Sequence, residues 1–289
     1  MRILALGAHP DDVELLCAGT LARYRAQGAH VTIAILTNGA PGAPTEPRAT
    51  PSIPSASPSP SLSPSASPSP SPIARVRAHE AREAASVLGA DSIMLGLPDG
   101  FLYDTPAARL LVVDVLRRTR PDVLFAHHPE DYHPDHRAAG ALASAARLLA
   151  REPGLETGHA ALDTVPALFR MDTLTGANGG TPDLWVNITD TMPTKEAMVS
   201  RHASQNDGRR RRGGHDFVDL ARRQSALRGR EVGVAYAEAF TRARAHPPTT
   251  TADLALPWIT PTSATHDPHD PHDPPGVVAT VADRRPSRT

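Results

Sequence analysis

The chain has 289 residues, enough for one or two domains with a sizeable core. Its 30 Lys and Arg balance 31 Asp and Glu to a net charge of −1, which excludes a global basic field for nucleic acid or an acidic membrane. The single cysteine, Cys17, excludes an internal disulfide and fits a reducing compartment, and no run nears the roughly 20 apolar residues that span a bilayer.

Met1-Arg2 leads into too few apolar residues before His9 for a signal peptide, so a cytoplasmic protein is expected. Arg2–Gly7 reads as a buried strand that runs straight into "GAHPDD" at 7–12. A helix follows over Glu14–Gln27, then a strand over His30–Leu36 ended by Thr37-Asn38-Gly39. From Ala43 to Pro72 the sequence turns into Pro/Ser low complexity, with "SASPSPS" at 55–61 duplicated at 65–71. Such a segment has almost nothing to bury, so a disordered insertion in a surface loop is expected. Ile73–Leu88 is predicted helical with Gly89 as its C-cap, Ser92–Leu95 a strand, Ala107–Arg118 a helix, and Val123–Ala126 a strand. His136–Ala150 is an alanine-rich helix, followed by strands at Ala167–Arg170 and Leu184–Ile188 and helices at Met192–His202 and Phe217–Ala243. From about His246 the chain is broken by proline, with "HDPHDPHDPP" at 266–275, and reads as a disordered Pro/His-rich tail. Strand–helix alternation with apolar strands predicts one α/β domain over 1–245: a Rossmann-like, doubly wound, mostly parallel sheet flanked by helices.

Two clusters follow predicted strands. His9-Pro10-Asp11-Asp12 comes after the first, and "HHPEDYHPDH" at 127–136 after "VLFA". Ligands of open α/β sheets bind at the carboxyl ends of the strands, so parallel strands would bring both clusters to one edge. His9, Asp12 and a histidine of the second cluster match the three His/carboxylate ligands of a catalytic zinc. Asp11 is left over as a general base on water. Helix capping would account for Asp11, Asp12 or Asp135, but it has no use for three histidines.

With these residues in view, the chain resembles the PIG-L/LmbE family of zinc-dependent N-acetylglucosamine deacetylases over most of 1–243. The resemblance rests on "AHPDD" at 8–12 with Gly19-Thr20-Leu21, "HPDH" at 133–136, "TNG" at 37–39 and "RAHEAREAASVLGA" at 77–90. "HASQ" at 202–205 and "GREVGVAYAEAF" at 229–240 are similar to the bacillithiol-type branch. The resemblance implies His9, Asp12 and His136 as zinc ligands, with Fe(II) as the other metal such a set can hold. It makes Asp11 the base and His133 the acid-side histidine, with Asp135 orienting His133. Arg77 and His202 are expected at the substrate. His127 and His128 compete as ligands, and Asp131 or Tyr132 stands where some relatives have a substrate-responsive tyrosine. Leu16 and Ala18 depart from the glycines frequent in the first motif. The implied activity is hydrolysis of the N-acetyl group of an N-acetylglucosamine-containing small molecule, in a trimer or hexamer, without nucleic acid or membrane insertion. Cleavage of a larger amide in a glucosaminyl thiol conjugate is the rival within hydrolases. A non-catalytic nucleotide-binding role would need the G-x-G-x-x-G that "GAHPDD" does not supply. "RRRRGG" at 209–214 reads as a solvated loop or a clamp for a substrate anion.

Overall fold

A computed structural model describes residues 1–41, 71–174, 181–211, 214–244, 246–250, 252–262 and 278–281. Its first half contains β1 (Arg2–Gly7), α1 (Asp12–Ala26), β2 (His30–Pro41), α2 (Pro72–Leu88), β3 (Asp91–Asp99) and α3 (Pro106–Thr119). β4 (Val123–Ala126), α4 (Pro134–Leu149), β5 (Ala167–Met171), β6 (Leu184–Asn187) and α5 (Met192–Val199) follow. The chain continues through α6 (Ala203–Arg211), α7 (Phe217–Glu231), β7 (Ala237–Arg242), β8 (Ile259–Thr262) and β9 (Val278–Val281). The strands form one sheet in the order β3-β2-β1-β4-β5-β7-β6-β8-β9. The first five are mutually parallel, and each later pairing is antiparallel.

Both faces of the parallel half are covered, which is why its strands carry no polar alternation. Ile3, Ala5, Val123 and Phe125 point into a core shared with α1, α2, α5 and α7. Leu4, Leu6, Leu124 and Ala126 point the other way, against α3 and α4. From β1 the chain winds outward to β2 and β3, then returns to β4 on the opposite side of β1. The switch point of this doubly wound sheet therefore lies between β1 and β4, paired from Ile3↔Val123 to Leu6↔Ala126. Among the described residues no helix is long and apolar enough to cross a membrane.

β3 runs well past the strand expected over Ser92–Leu95, and α6 takes in 209–211 of the expected 209–214 loop, of which 212–213 lie outside the described residues. Three larger expectations also differ from the structure. β2 does not stop at Thr37-Asn38-Gly39. It runs on to Pro41 through a bulged pairing with β3, with Gly39 at φ 68°. The helix expected over Phe217–Ala243 ends at Glu231, and the chain turns back as β7 between β5 and β6. Gly229 and Gly233 make this turn: a Cβ on Gly229 would lie 2.5 Å from Val234 O, and Gly233 has φ 73°. Ala and Glu favour a helix locally, but packing of Phe240 on Phe125, with ring centroids 5.1 Å apart, overrides that preference.

The third difference is the boundary at 245. Leu254 and Leu256 are buried in the core, Tyr24 Oη donates to Leu254 O, and Ile259 pairs with Trp185 across β8 and β6. Proline content obscured the apolar residues of "LALPWI". Most of the Pro/Ser insertion (42–70) and most of the tail beyond 262 lie outside the described residues.

Candidate active site

The loops after β1 and β4 leave the sheet side by side at its switch point. α1 starts at Asp12, and the preceding Asp11 sits at φ 113°, a left-handed conformation that costs a non-glycine residue free energy and needs outside support. On the other loop His133 caps α4, its Nδ1 accepting the Asp135 N–H at 3.2 Å. Gly140 lets α4 press on that loop, because a Cβ there would lie 2.6 Å from His127 O.

Asp12 is the centre of the cluster. Its Oδ2 accepts the His9 N–H at 2.7 Å and lies 3.4 Å from His9 Nδ1 and 3.0 Å from His127 Nε2. Its Oδ1 lies 3.2 Å from His136 Nε2. Ring centroids of His9 and His136 are 5.4 Å apart, and His133 lies 4.9 Å and 4.6 Å from the two. Among the described residues, donor atoms of His9, His133 and His136, those of Asp12, His127 and His136, and those of His9, Asp99 and Asp135 fall within 4.8 Å of one another, so each set could hold a metal ion.

The chemistry of the donors fits a cation. Burial alone would lower His9, yet Asp12, Asp135 and Asp99 push it up to about 12, and Asp12 and Asp131 likewise bring His136 up to about 9. Burial would raise Asp12, but the charge of His136, paired with its Oδ1, holds it well below the usual carboxylate range. This carboxylate-rich pocket calls for positive charge, and protonated histidines supply it here. His136 Nδ1 lies 3.2 Å from Asp131 Oδ2, an ion-pair contact on the far side of the ring from Asp12. His127 is kept neutral first by burial, and its Nε2 also faces the Ala8 N–H at 3.1 Å, which contests its lone pair. His128 points away, its Nδ1 accepting the Glu130 N–H and its charge disfavoured by burial and Arg170.

Asp11 and Asp12 part company in environment. Burial pushes Asp11 up to about 6, against the pull of Arg77. The two terminal nitrogens of Arg77 are engaged within the protein: they donate to Gly39 O at 2.8 Å, Pro10 O at 2.7 Å and Asp11 Oδ2 at 3.1 Å, and reach Asp99 Oδ2 at 3.5 Å. Gly39 permits the approach, since a Cβ would lie 3.0 Å from Arg77 Cδ. Arg77 thus holds Asp11 in its strained conformation rather than reaching outward to a ligand. Glu80 is not its partner; that carboxylate accepts from Ser204 N and Oγ at the start of α6.

Asp135 also departs from expectation. Its carboxylate goes to His9 Nε2 at 3.1 Å and to the Gly100 and Leu102 N–H groups at 2.7 and 3.2 Å, not to the His133 ring. His133 is lowered by burial and by the neighbouring His136 and His9 charges. Both causes favour its neutral form over the charged one. Because Nδ1 accepts the Asp135 amide, the ring proton belongs on Nε2. His202 lies fully buried against Glu14, 3.5 Å away, beneath the site and out of reach of a ligand.

Asp99 was missed in the sequence because Pro98-Asp99-Gly100 reads as a plain turn. Its Oδ1 lies 3.3 Å from His9 Nε2. The available signal was its position, an acid at the carboxyl end of a strand of the same sheet.

The pattern of the PIG-L family, described as "GlcNAc-PI de-N-acetylase", matches residues 4–147, from β1 into α4, and so spans both loops. A solved structure of a conserved protein from Thermus thermophilus is 33% identical, with a TM-score of 0.64, covering 84% of this chain and 94% of that one. The chain belongs to the PIG-L family. Among curated relatives, the 1D-myo-inositol 2-acetamido-2-deoxy-alpha-D-glucopyranoside deacetylase of Thermomonospora curvata is 31% identical over 181 residues, 55% of this chain and 56% of its own length. The diacetylchitobiose deacetylase of Thermococcus kodakarensis is 26% identical over 219 residues, 71% of this chain and 70% of its own. The chain spans about half the length of the first of these relatives. The PIG-L match ends within α4, so β5, β7 and the 246–262 segment complete the sheet and core beyond it.

Proposed function

We propose that this PIG-L protein is a zinc-dependent N-deacetylase that releases acetate and a free amine from an N-acetylglucosamine-containing small molecule. One observation carries the reading: two loops 121 positions apart, Asp12 to His133, converge on a single carboxylate ringed by histidines, with Asp11 left over beside it. The family description and both curated relatives name removal of an acetyl group, which supports the substrate class.

His9, Asp12 and His136 would hold the metal. His127 is set aside because the Ala8 N–H occupies its Nε2. Zinc there supplies a Lewis acid that polarises the acetamide carbonyl and acidifies water. Asp11, steadied by Arg77, takes the proton of the attacking water. The neutral His133 ring offers its Nε2–H to the carbonyl oxygen as negative charge develops on it. The proton on Asp11 then passes to the departing nitrogen, and acetate leaves. Asp135 keeps His9 turned toward Asp12 by holding its far nitrogen.

The test is acetate release from a panel of N-acetylglucosaminides, before and after chelation and then with zinc or iron(II) restored singly. Deacetylation that stops with chelator and returns best with zinc is expected. Hydrolysis that persists after complete metal removal would sink the reading.

A further inference from the structure

The mouth of the site carries a feature that the hydrolytic chemistry does not use. The chain has only 5 Phe, 4 Tyr and 2 Trp. Eight of these are at least partly covered by the fold. The three exposed ones are Phe101 at 41%, Tyr103 at 63% and Tyr132 at 45%, and all three belong to the two segments that border the metal donors. Phe101 lies between Gly100 and Leu102, whose N–H groups are both bonded to Asp135. Asp135 in turn holds His9, so Phe101 is pinned one residue from the site wall on either side. Leu102 anchors the segment in the α3–α4 core, and Thr105 caps α3 just beyond it. On the facing loop the Tyr132 ring centroid lies 6.1 Å from His136 and 6.2 Å from His133. Exposed aromatic rings cost hydration free energy, and a chain so poor in them carries its exposed ones on the two segments that adjoin Asp135 and His136.

We propose that Phe101, Tyr103 and Tyr132 form an aromatic rim that binds an apolar ring attached to the sugar, and so determines which N-acetylglucosaminide is accepted. This rests on the deacetylase reading and narrows its substrate class to conjugates with an aromatic or similarly flat apolar aglycone. Rings of this kind stack in offset or edge-to-face contacts, and an anchored loop loses little freedom on binding. The rim adds affinity outside the reacting centre and leaves the water, Asp11 and His133 untouched.

The experiment measures binding by calorimetry to the zinc-loaded full chain, using the amine products phenyl β-D-glucosaminide and methyl β-D-glucosaminide. Phenyl is expected to bind about tenfold more tightly than methyl, the scale of one or two aromatic contacts. The double variant Phe101→Ala with Tyr103→Ala should erase that gap. Leu111→Ser, which removes an exposed apolar residue on α3, should keep it and so controls for general surface hydrophobicity. A gap that is missing in the natural chain, a gap that survives in the double variant, or no binding of either compound overturns the rim. Sedimentation velocity adds one more outcome. Self-association that disappears in the double variant while the gap stays would assign these rings to contact between copies, and would overturn the proposal. Acetate release from the two N-acetyl parents separates the two claims. Release with a surviving gap ends the rim alone, whereas a gap erased on cue without any release ends the deacetylase reading and leaves the rim.

Discussion

Asp11 is held in a conformation that an aspartate does not choose, and Arg77 is what holds it. Changing Asp11 to Asn keeps the shape and removes the base. Metal content by elemental analysis should be unchanged while turnover falls by about 10²–10⁴, the usual share of a general base. Wild-type turnover in such a variant would refute the role. Removing a ligand acts differently: His136→Ala should lose the metal itself, and full zinc occupancy would contradict the ligand set. The acid limb of the rate should lie at or below the value of about 6 to which burial pushes Asp11, because a bound cation favours the carboxylate and draws it down. Arg77 opposes burial in the same sense, so in Arg77→Met the limb should move to higher pH, and a limb that stays or moves lower would show that Arg77 does not act on Asp11. At this scale the meeting of His9 and Asp12 with the second histidine cluster was legible, because both clusters follow strands of one parallel sheet, whereas His136 in particular came from the family resemblance. Arg77 and His202 were expected at the substrate, and their burial was not legible because it depends on tertiary packing that no local pattern encodes.

Helices α1 and α4 matter here through their first turns, which carry Asp12 and the Asp135-His136 pair. α4 reaches its place because Gly140 has no side chain to meet His127 O. Gly140→Ala should therefore lower stability by about 1–3 kcal/mol in urea titration, as overpacking against backbone does, and weaken metal binding through the same displaced loop. An unchanged midpoint would mean that the loop yields freely. Of the strands buried on both faces, β1 and β4 were read to the residue, because continuous apolar runs such as "VLFA" admit few other meanings. β7 was not, since "AYAEAF" favours a helix on its own and becomes a strand only when flanked by β5 and β6. α6 escaped notice because a polar helix such as "ASQNDGRRR" shows no apolar face.

The fold as a whole is closed by the segment after residue 245. Leu254, Leu256 and Ile259 are buried, and Arg147 donates to Pro247 O at 2.6 Å. Leu254→Ala should cost about 2–5 kcal/mol in chemical denaturation, typical of a large-to-small change in a core. A loss below about 0.5 kcal/mol, the scale of an ordinary surface change, would mean that the segment is dispensable. Metal removal should be milder for the architecture than for activity. His9 and His136 can hold protons against Asp12, Asp131 and Asp135, so the site neutralises itself without an ion. The chelated protein should keep its near-ultraviolet circular dichroism, with a melting point lowered only by the linkage of the lost ion. Collapse of the tertiary signal on chelation would contradict this. The overall architecture could be read because strand–helix alternation dictates it. The closing segment could not, since four prolines within 246–262 hide a short apolar stretch.

One carboxylate, Asp135, grips the backbone of residues 100 and 102 through two amides and asks nothing of the side chains between or beside them. Residue 101 is thus a socket: its occupant can be exchanged by protein engineers, or by mutation over generations, while the hinge on which it hangs stays fixed. New preferences among conjugates could then be installed one letter at a time without retuning the ion beneath.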